Sequence, residues 1–268
     1  MKRGYYLYTI IIILFFASFV FFSKEKEKVV FLDVGQGDAS LIFTKERTVL
    51  IDGGPDLQVL SSLGESLGYH MKIDDIIISH AHSDHFLGLA EIVERYEVDN
   101  LYYYKSSLES DTYLEFINKV KRLDIRIRLS KRGDKIRIRN DCYLYFLWPI
   151  LGNNNDFNVN ELSLVNYFAC GKLKVLFTGD ISEAVEKQLI TLDNDLKFDV
   201  LKSAHHGSKY SNSEEFLKYF KVKEMVVSSG KGNKYGFPAP ELMSRAKNLE
   251  IEVVDLSETG SHELLIEK

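Results

Sequence analysis

Four side chains able to bind a metal fall within six positions at His80-Ala81-His82-Ser83-Asp84-His85, and three of the chain's seven histidines are among them. The apolar run Ile73 to Ser79 just before them predicts a strand. His80 and His82 point the same way only while the backbone stays extended, so Asp84 and His85 turn out of the strand toward a second locus. That spacing suits two adjacent divalent cations, which make bound water nucleophilic at neutral pH and need no serine or cysteine nucleophile. The competing reading is a polar surface loop with unrelated histidines, against which the clustering of so few histidines argues.

The elements that must hold this segment are short apolar strands alternating with amphipathic helices. Strands are expected near Val29 to Val34, Ser40 to Phe43, Thr48 to Asp52, Ile73 to Ser79, Tyr143 to Trp148, Leu162 to Phe168, Leu173 to Thr178 and Glu224 to Ser228. Helices are expected near Gln58 to Tyr69, Phe86 to Tyr96, Tyr113 to Arg122, Ser182 to Thr191, Ser213 to Phe220 and Glu241 to Asn248. No linker, repeat or low-complexity tract divides residues 24–268, so one domain of sheets sandwiched between helices is the simplest count. Before it, Tyr5 to Phe22 forms an apolar run of 18 residues, nearly long enough to span a bilayer. Residues 1–23 therefore read as an uncleaved membrane anchor of signal-anchor type. Phe21-Phe22-Ser23 lacks the small residues a signal peptidase reads, and a short tail before a long domain favours an extracytoplasmic domain.

With 268 residues, 45% hydrophobic and 27% charged, the chain is neither disordered nor collagen-like, and a net charge of −5 excludes a general nucleic-acid coating protein. The charge is uneven: Lys119 to Arg139 holds ten cations against Asp124 and Asp134, a local +8 that leaves −13 elsewhere. Alternation of Arg126 and Arg128, then Arg137 and Arg139, with apolar residues about a turn at Lys131 to Asp134 predicts a hairpin with a cationic face. Such a face is either an edge guarded against aggregation or a groove that tracks phosphates. Cys142 and Cys170 are too few for a disulfide framework and read as two buried thiols, with their meeting in space left open.

The His80 segment, Asp52 in Leu50-Ile51-Asp52-Gly53-Gly54, Asp180 in Phe177-Thr178-Gly179-Asp180 and His205 in Lys202-Ser203-Ala204-His205-His206-Gly207-Ser208 follow one another in the order of the metallo-β-lactamase superfamily, which the chain resembles. That resemblance implies an α/β fold, a four-layer αββα sandwich, here preceded by one N-terminal transmembrane helix. Phe31 to Asp38 (FLDVGQGD), His205 to Ser208 (HHGS) and Gly232 to Gly236 (GNKYG) narrow the likeness to the hydrolase domain of ComEC-type competence proteins. The chain looks like a free-standing, anchored relative of that domain, without the DNA-uptake channel. The resemblance implies two divalent metal ions, zinc or manganese. His80 and His82 take one ion, Asp84, His85 and His205 the other, and Asp180 bridges them. Asp52 supports a ligand histidine from behind. Asp84 and Asp180 then stand at the reacting atoms, with His206 as a contact to substrate phosphate or as a plain core or surface histidine. Turn formation by Asp52 and helix capping by Asp180 are the competing readings.

Two positions depart from the superfamily pattern. No histidine occurs from Phe86 to Ala204, where a further ligand of the first metal is usual; Asn160 and Ser163 stand there instead, as ComEC-like members show, and that site is expected to be the weaker. Phe237 follows the Tyr-Gly pair, where the resemblance to ComEC-like sequences implies histidine. The expected activity is a phosphodiesterase or nuclease acting on DNA outside the membrane through a metal-activated hydroxide. Gly207, Ser208, Ser211, Asn160, Ser163 and the four arginines are expected to contact the nucleic acid or other phosphodiester; no protein partner is inferable. The alternatives are hydrolysis of a lactone, thioester, β-lactam or envelope phosphodiester, and a catalytically weak polyanion-binding module.

Overall fold

Val29, Val30, Phe31 and Leu32 are all buried, yet they alternate between two separate cores: Val29 and Phe31 in one, Val30 and Leu32 in the other. A strand apolar on both faces needs cover on both faces, which dictates a layered arrangement. The computed structural model describes residues 26–105, 110–150, 157–193 and 195–267. Strands β1 (Lys28–Phe31), β2 (Ser40–Phe43), β3 (Thr48–Ile51), β4 (Lys72–Ile77), β5 (Glu97–Tyr103) and β6 (Arg126–Leu129) lie in one sheet. Strands β7 (Lys135–Arg139), β8 (Cys142–Phe146), β9 (Asn166–Cys170), β10 (Leu173–Phe177), β11 (Val200–Lys202), β12 (Glu224–Val227) and β13 (Glu252–Asp255) form the second, and β14 (His262–Leu265) returns to the first. The strand orders are β14-β1-β2-β3-β4-β5-β6 and β13-β12-β11-β10-β9-β8-β7.

Between the sheets, Val29, Phe31, Val49 and Ile77 meet Leu144, Phe168, Val175 and Phe177. Outside the first sheet lie α1 (Gln58–Leu67), the single turn α2 (Ser83–Phe86), α3 (Leu89–Arg95) and α4 (Asp111–Arg122). α4 shows why: Tyr113, Phe116, Ile117 and Val120 recur at helical spacing and are buried, and the Ser110 hydroxyl accepts the Tyr113 amide as an N-cap. Outside the second sheet lie α5 (Glu183–Leu192), α6 (Glu214–Phe220) and α7 (Pro240–Asn248), whose Leu189, Phe216 and Leu242 pack on Leu176, Leu201 and Met225. A last turn, α8 (Leu256–Thr259), leads from β13 to β14. The four layers are therefore α, β, β, α.

β3, β4 and β5 run parallel in one sheet, β10, β11, β12 and β13 in the other, and the C-terminal ends of β3, β4, β10 and β11 lead into Asp52, His80, Asp180 and His205. Ligand sites in such sheets gather beyond the carboxyl ends of the strands. Cross-links tie the two sheets at that end, where the Leu164 amide donates to the Ser79 carbonyl (2.7 Å) and the Ser228 hydroxyl to the Gly37 carbonyl (2.6 Å).

Three expectations change. The cationic segments form no hairpin: β6 pairs in parallel with β5, Arg126 opposite Asn100, whereas β7 pairs with β8, so residues 130–134 carry the chain from one sheet to the other. Alternation identified the strands but not their partners, because a parallel partner reached through α4 leaves no local signal. The cations are also partly engaged: Arg126 Nε donates to Asn100 (3.0 Å), Arg137 lies 3.7 Å from Glu46, and Arg139 pairs with Glu27 and Asp141, while Arg128 stays exposed on the edge strand. The run Leu162 to Phe168 starts as a 3-10 turn at Asn160–Leu162 and becomes strand only at Asn166. Finally, Cys142 and Cys170, opposite one another in the β8–β9 register, are joined in a disulfide and are not free thiols. The expected membrane anchor lies outside the described residues, among which no helix is long and apolar enough to cross a bilayer.

The disulfide closes a sequence separation of 28 residues. Replacing Cys142 and Cys170 by serine is expected to lower unfolding free energy by about 3 kcal/mol, as measured by urea denaturation. Thiol labelling of the unreduced chain should find no free cysteine; two labelled thiols would show that the bond does not form.

Candidate metal centre

After β4, His80 follows Ser79, and His82 still has an extended backbone (φ −90°, ψ 146°) before the α2 turn folds Asp84 and His85 back. The rings of His80 and His82 lie 4.7 Å apart and those of His80 and His85 4.1 Å apart. The turn is pressed against neighbouring backbone: the Asp38 amide donates to the Asp84 carbonyl (3.1 Å), and the Gly53 amide to that of His85 (2.6 Å). Gly37 and Gly88 permit this, since a Cβ on Gly37 would sit 2.3 Å from the Asp84 carbonyl oxygen and one on Gly88 2.1 Å from that of Gly53.

Asp52 follows β3 with a left-handed φ of 59° and turns its carboxylate under the cluster. Its Oδ1 accepts the Ser79 amide (2.7 Å), and its Oδ2 accepts from the Ser79 hydroxyl (2.7 Å) and from His85 Nδ1 (2.9 Å). His80 Nδ1 likewise rests on the Ser79 hydroxyl (3.0 Å), and His206 Nδ1 donates to the Ser228 carbonyl (2.9 Å). Three imidazoles are thus each anchored at Nδ1, which leaves Nε2 for the site.

Those Nε2 atoms converge on Asp180. Its Oδ1 lies 3.4 Å from His85, and its Oδ2 lies 3.8 Å from His80, 3.6 Å from His206 and 3.8 Å from His205. Asp84 Oδ2 is 3.3 Å from His206 Nε2. Among the described residues, the buried Nε2 atoms of His80, His85 and His206 and Oδ1 of Asp180 have no hydrogen-bond partner. With the half-buried Asp84, these nitrogen and carboxylate donors lie mutually within 4.8 Å in the sets His80–His85–Asp180 and Asp84–His85–His206 and form a donor set that fits divalent cations.

Electrostatics agree. Burial raises the Asp180 carboxyl, but His206, His85 and His80 outweigh it and hold the group well below the usual carboxylate range. Burial opposes the charge on Asp84 too, and the adjacent His206 and the charge of His85 drive it low. His85 is lowered by burial, yet Asp180 and Asp52 lift it well above an ordinary histidine, whereas burial and the charge of His85 push His80 and His82 down. Burial raises Asp52 despite the opposing pull of His85.

Residues 32–134 match the metallo-beta-lactamase superfamily. The matched residues hold Asp52 and the His80–His85 segment, and the two-sheet sandwich around them is the metallo-β-lactamase fold. Members of the superfamily are generally metal-dependent hydrolases. The domain is 28% identical to ComE operon protein 3 of Bacillus subtilis over 250 residues, covering 86% of this chain and 32% of that protein. It is 29% identical to Recombination protein 2 of Haemophilus influenzae over 271 aligned residues, covering 93% and 30%. The chain therefore spans about a third of the length of these curated relatives. The fold is shared with YhfI, a metallo-beta-lactamase fold protein from Bacillus subtilis, at a TM-score of 0.59 and 15% identity over 89% of this chain and all of that one.

The HHGS segment differs from expectation. An extended backbone would send adjacent side chains to opposite faces, with His205 inward. Instead His205 (φ 52°, ψ 48°) and His206 (φ 53°, ψ 26°) are consecutive left-handed residues, and both rings reach the Asp180 side. His206 is buried and enters the set with Asp84 and His85; the His205 side chain keeps 36% of its exposure at the mouth. The expected hydroxyl contacts also change. Ser163 is fully buried, donating to the Asn160 carbonyl (2.6 Å) and accepting the Asp180 amide (3.1 Å), so it positions Asp180. Ser208 accepts the Tyr210 amide (3.3 Å), Ser211 donates to the Ile181 carbonyl (2.8 Å), and the Gly207 carbonyl accepts the Ala239 amide (2.9 Å), so these shape the loop. Asn160 Oδ1 is buried without a partner.

Two residues were not assigned from sequence. Lys202, in the apolar β11, is buried and places Nζ 2.7 Å from Asp38 Oδ1 while donating to the Ser203 carbonyl (2.8 Å). Asp38 Oδ1 in turn lies 3.2 Å from His206 Nδ1. Burial raises Asp38, but Lys202 and His206 together bring it to about 2; burial lowers His206, but Asp180 and Asp38 lift it to about 10. The available signals were a lone lysine in an apolar strand and the acid of FLDVGQGD.

Asp38→Ala strands a buried ammonium and is expected to destabilise the metal-free chain by about 3–5 kcal/mol in urea, with the double variant Asp38→Leu/Lys202→Met recovering most of it. A double variant no more stable than the single one would contradict the pairing. Because folding depresses the Asp38 pKa from 3.8 to about 2, its contribution is complete above the higher value and lost as pH falls through the lower. Acid unfolding of Asp38→Asn should therefore lack that component.

Proposed function

We propose that the domain is a dinuclear metal-dependent phosphodiesterase acting on nucleic acid. The observation that carries this reading is the convergence of partnerless Nε2 atoms and carboxylate oxygens on Asp180. In it, His80 and His82 would hold a first divalent ion and Asp84, His85 and His206 a second, with Asp180 available to both. Bound there, the ions supply Lewis acidity toward a phosphoryl oxygen and activation of water at neutral pH. Asp52 and Asp38 keep the histidine tautomers that direct Nε2 inward. His205, at the mouth, contacts the substrate phosphate or hands a proton to the leaving oxygen. With two histidines only, the first locus is the weaker, which favours manganese or an oxygen donated by substrate.

Similarity to a protein named for recombination supports nucleic acid as the substrate class. Residues 1–23 are the proposed membrane anchor and 24–268 the hydrolase domain, outside the membrane; the Cys142–Cys170 disulfide supports an oxidising compartment. Arg128 and the other cations of the β6 and β7 edges are proposed to hold flanking phosphates.

The full chain, purified in detergent, should cleave single-stranded DNA and bis-p-nitrophenyl phosphate with added manganese or zinc. His206→Ala should weaken the second ion by more than ~100-fold and abolish cleavage, while His205→Ala keeps both ions and loses rate. Cleavage of acyl esters with both diesters untouched would reverse the substrate class, and metal loss confined to His205→Ala would overturn the ligand set.

A further inference from the structure

The rings beside the metal centre continue outward in a row. His205 packs edge-to-face on Phe237 (centroids 6.0 Å, 67°), and Phe237 stacks on Tyr235 (5.6 Å, 18°), which is 55% exposed. The row begins at Asp180, 3.8 Å from His205 Nε2, and ends in solvent. Its loop is fixed in place. Asn233 Oδ1 accepts the amides of Tyr235 (3.1 Å) and Phe237 (3.0 Å), while its Nδ2 donates to the carbonyls of Gly230 (2.9 Å) and Phe237 (2.6 Å). One end of the loop is tied to Gln36, through the Gly230 amide, and the other to Gly207, through the Ala239 amide. The aromatic faces are therefore held relative to the reacting centre before any ligand arrives.

Residues 230–237 contain Lys231 and Lys234, no acid and no aliphatic side chain. Lys234 Nζ stands 5.1 Å from the centre of the Tyr235 ring. A second such pair, Lys209 over Tyr210 at 5.2 Å, follows the HHGS segment, with Tyr210 72% exposed. Flat, exposed rings, each beside a lysine ammonium, suit a ligand that joins a π-face to an anion; a nucleotide has both. An exposed cation–π contact is weaker than base–aromatic stacking, so a base can displace the Lys234 ammonium, which then reaches the adjacent phosphate.

We propose that Tyr235 and Phe237 form a stacking platform for the base next to the scissile phosphate, selecting single-stranded or frayed nucleic acid. Bases inside a duplex have their faces covered by neighbours and offer nothing to this platform. Phe237 is central: it carries the aromatic row from His205 to Tyr235. The proposal rests on the nuclease reading of the site.

Binding of three phosphorothioate octamers to the full chain in detergent, read by fluorescence anisotropy, tests it: oligothymidylate, a base-free octamer of the same backbone, and a blunt duplex. Oligothymidylate should bind about tenfold more tightly than either other probe. Tyr235→Ala should bring the ratio near one, and Tyr235→Trp should restore it. Equal binding of all three probes, or a ratio unchanged in Tyr235→Ala, overturns the platform. Cleavage of the corresponding phosphodiesters is followed in parallel: cleavage without base preference sinks the platform alone, and base-selective binding without cleavage of any diester sinks the nuclease reading alone.

Discussion

Asp180 is a buried carboxylate whose two oxygens face four imidazoles, and the architecture around it serves that meeting. A carboxylate at such depth is tolerated only beside positive charge, whether protons on histidine or cations between them. The histidines come from both halves of the chain: His80 and His85 follow a strand of the first sheet, His205 and His206 one of the second. Asp180, which follows a strand of the second sheet, meets all four imidazoles only when the two sheets close on each other. The inter-sheet core of Phe31, Ile77, Phe168 and Phe177 thus has a chemical consequence, since it sets the distance across which these groups meet.

Behind the imidazoles stands a further ring of acids and one base. Asp52 holds His85 from the end of the neighbouring strand, and Asp38, from the loop before β2, backs His206 together with Lys202 of β11. Such buried pairs add little net stability over apolar residues, but losing one partner is expensive, so they fix geometry more than they strengthen the fold. The same economy of position explains the serines: Ser79 and Ser163 turn their hydroxyls to backbone and carboxylate, away from solvent.

Much of this was legible in the sequence because it is local. The His80–His85 segment lies at one strand end, and its alternation and turn follow from neighbouring residues. The layered fold is written in strands such as Val29–Leu32, apolar on both faces. What failed depended on conformation or on distant partners. The order of His205 and His206 turns on two successive left-handed residues, which non-glycine side chains rarely adopt. β6 and β7 look like a hairpin until β5, beyond a helix, claims β6. β5 itself was missed because Glu97, Asp99 and Asn100 interrupt its apolar pattern. The Asp38–Lys202 pair joins the first strand's loop to the eleventh strand, and nothing within either segment announces the other.

The central claim is that Asp180 is shared by two neighbouring ions. Electron paramagnetic resonance of the full chain titrated with manganese tests it most directly, because ions about 3.5–4 Å apart couple magnetically. The account predicts two bound equivalents with the spectrum of a coupled pair, replaced by isolated-ion signals in Asp180→Ala. A spectrum of isolated ions in the parent chain, at two equivalents, would contradict it.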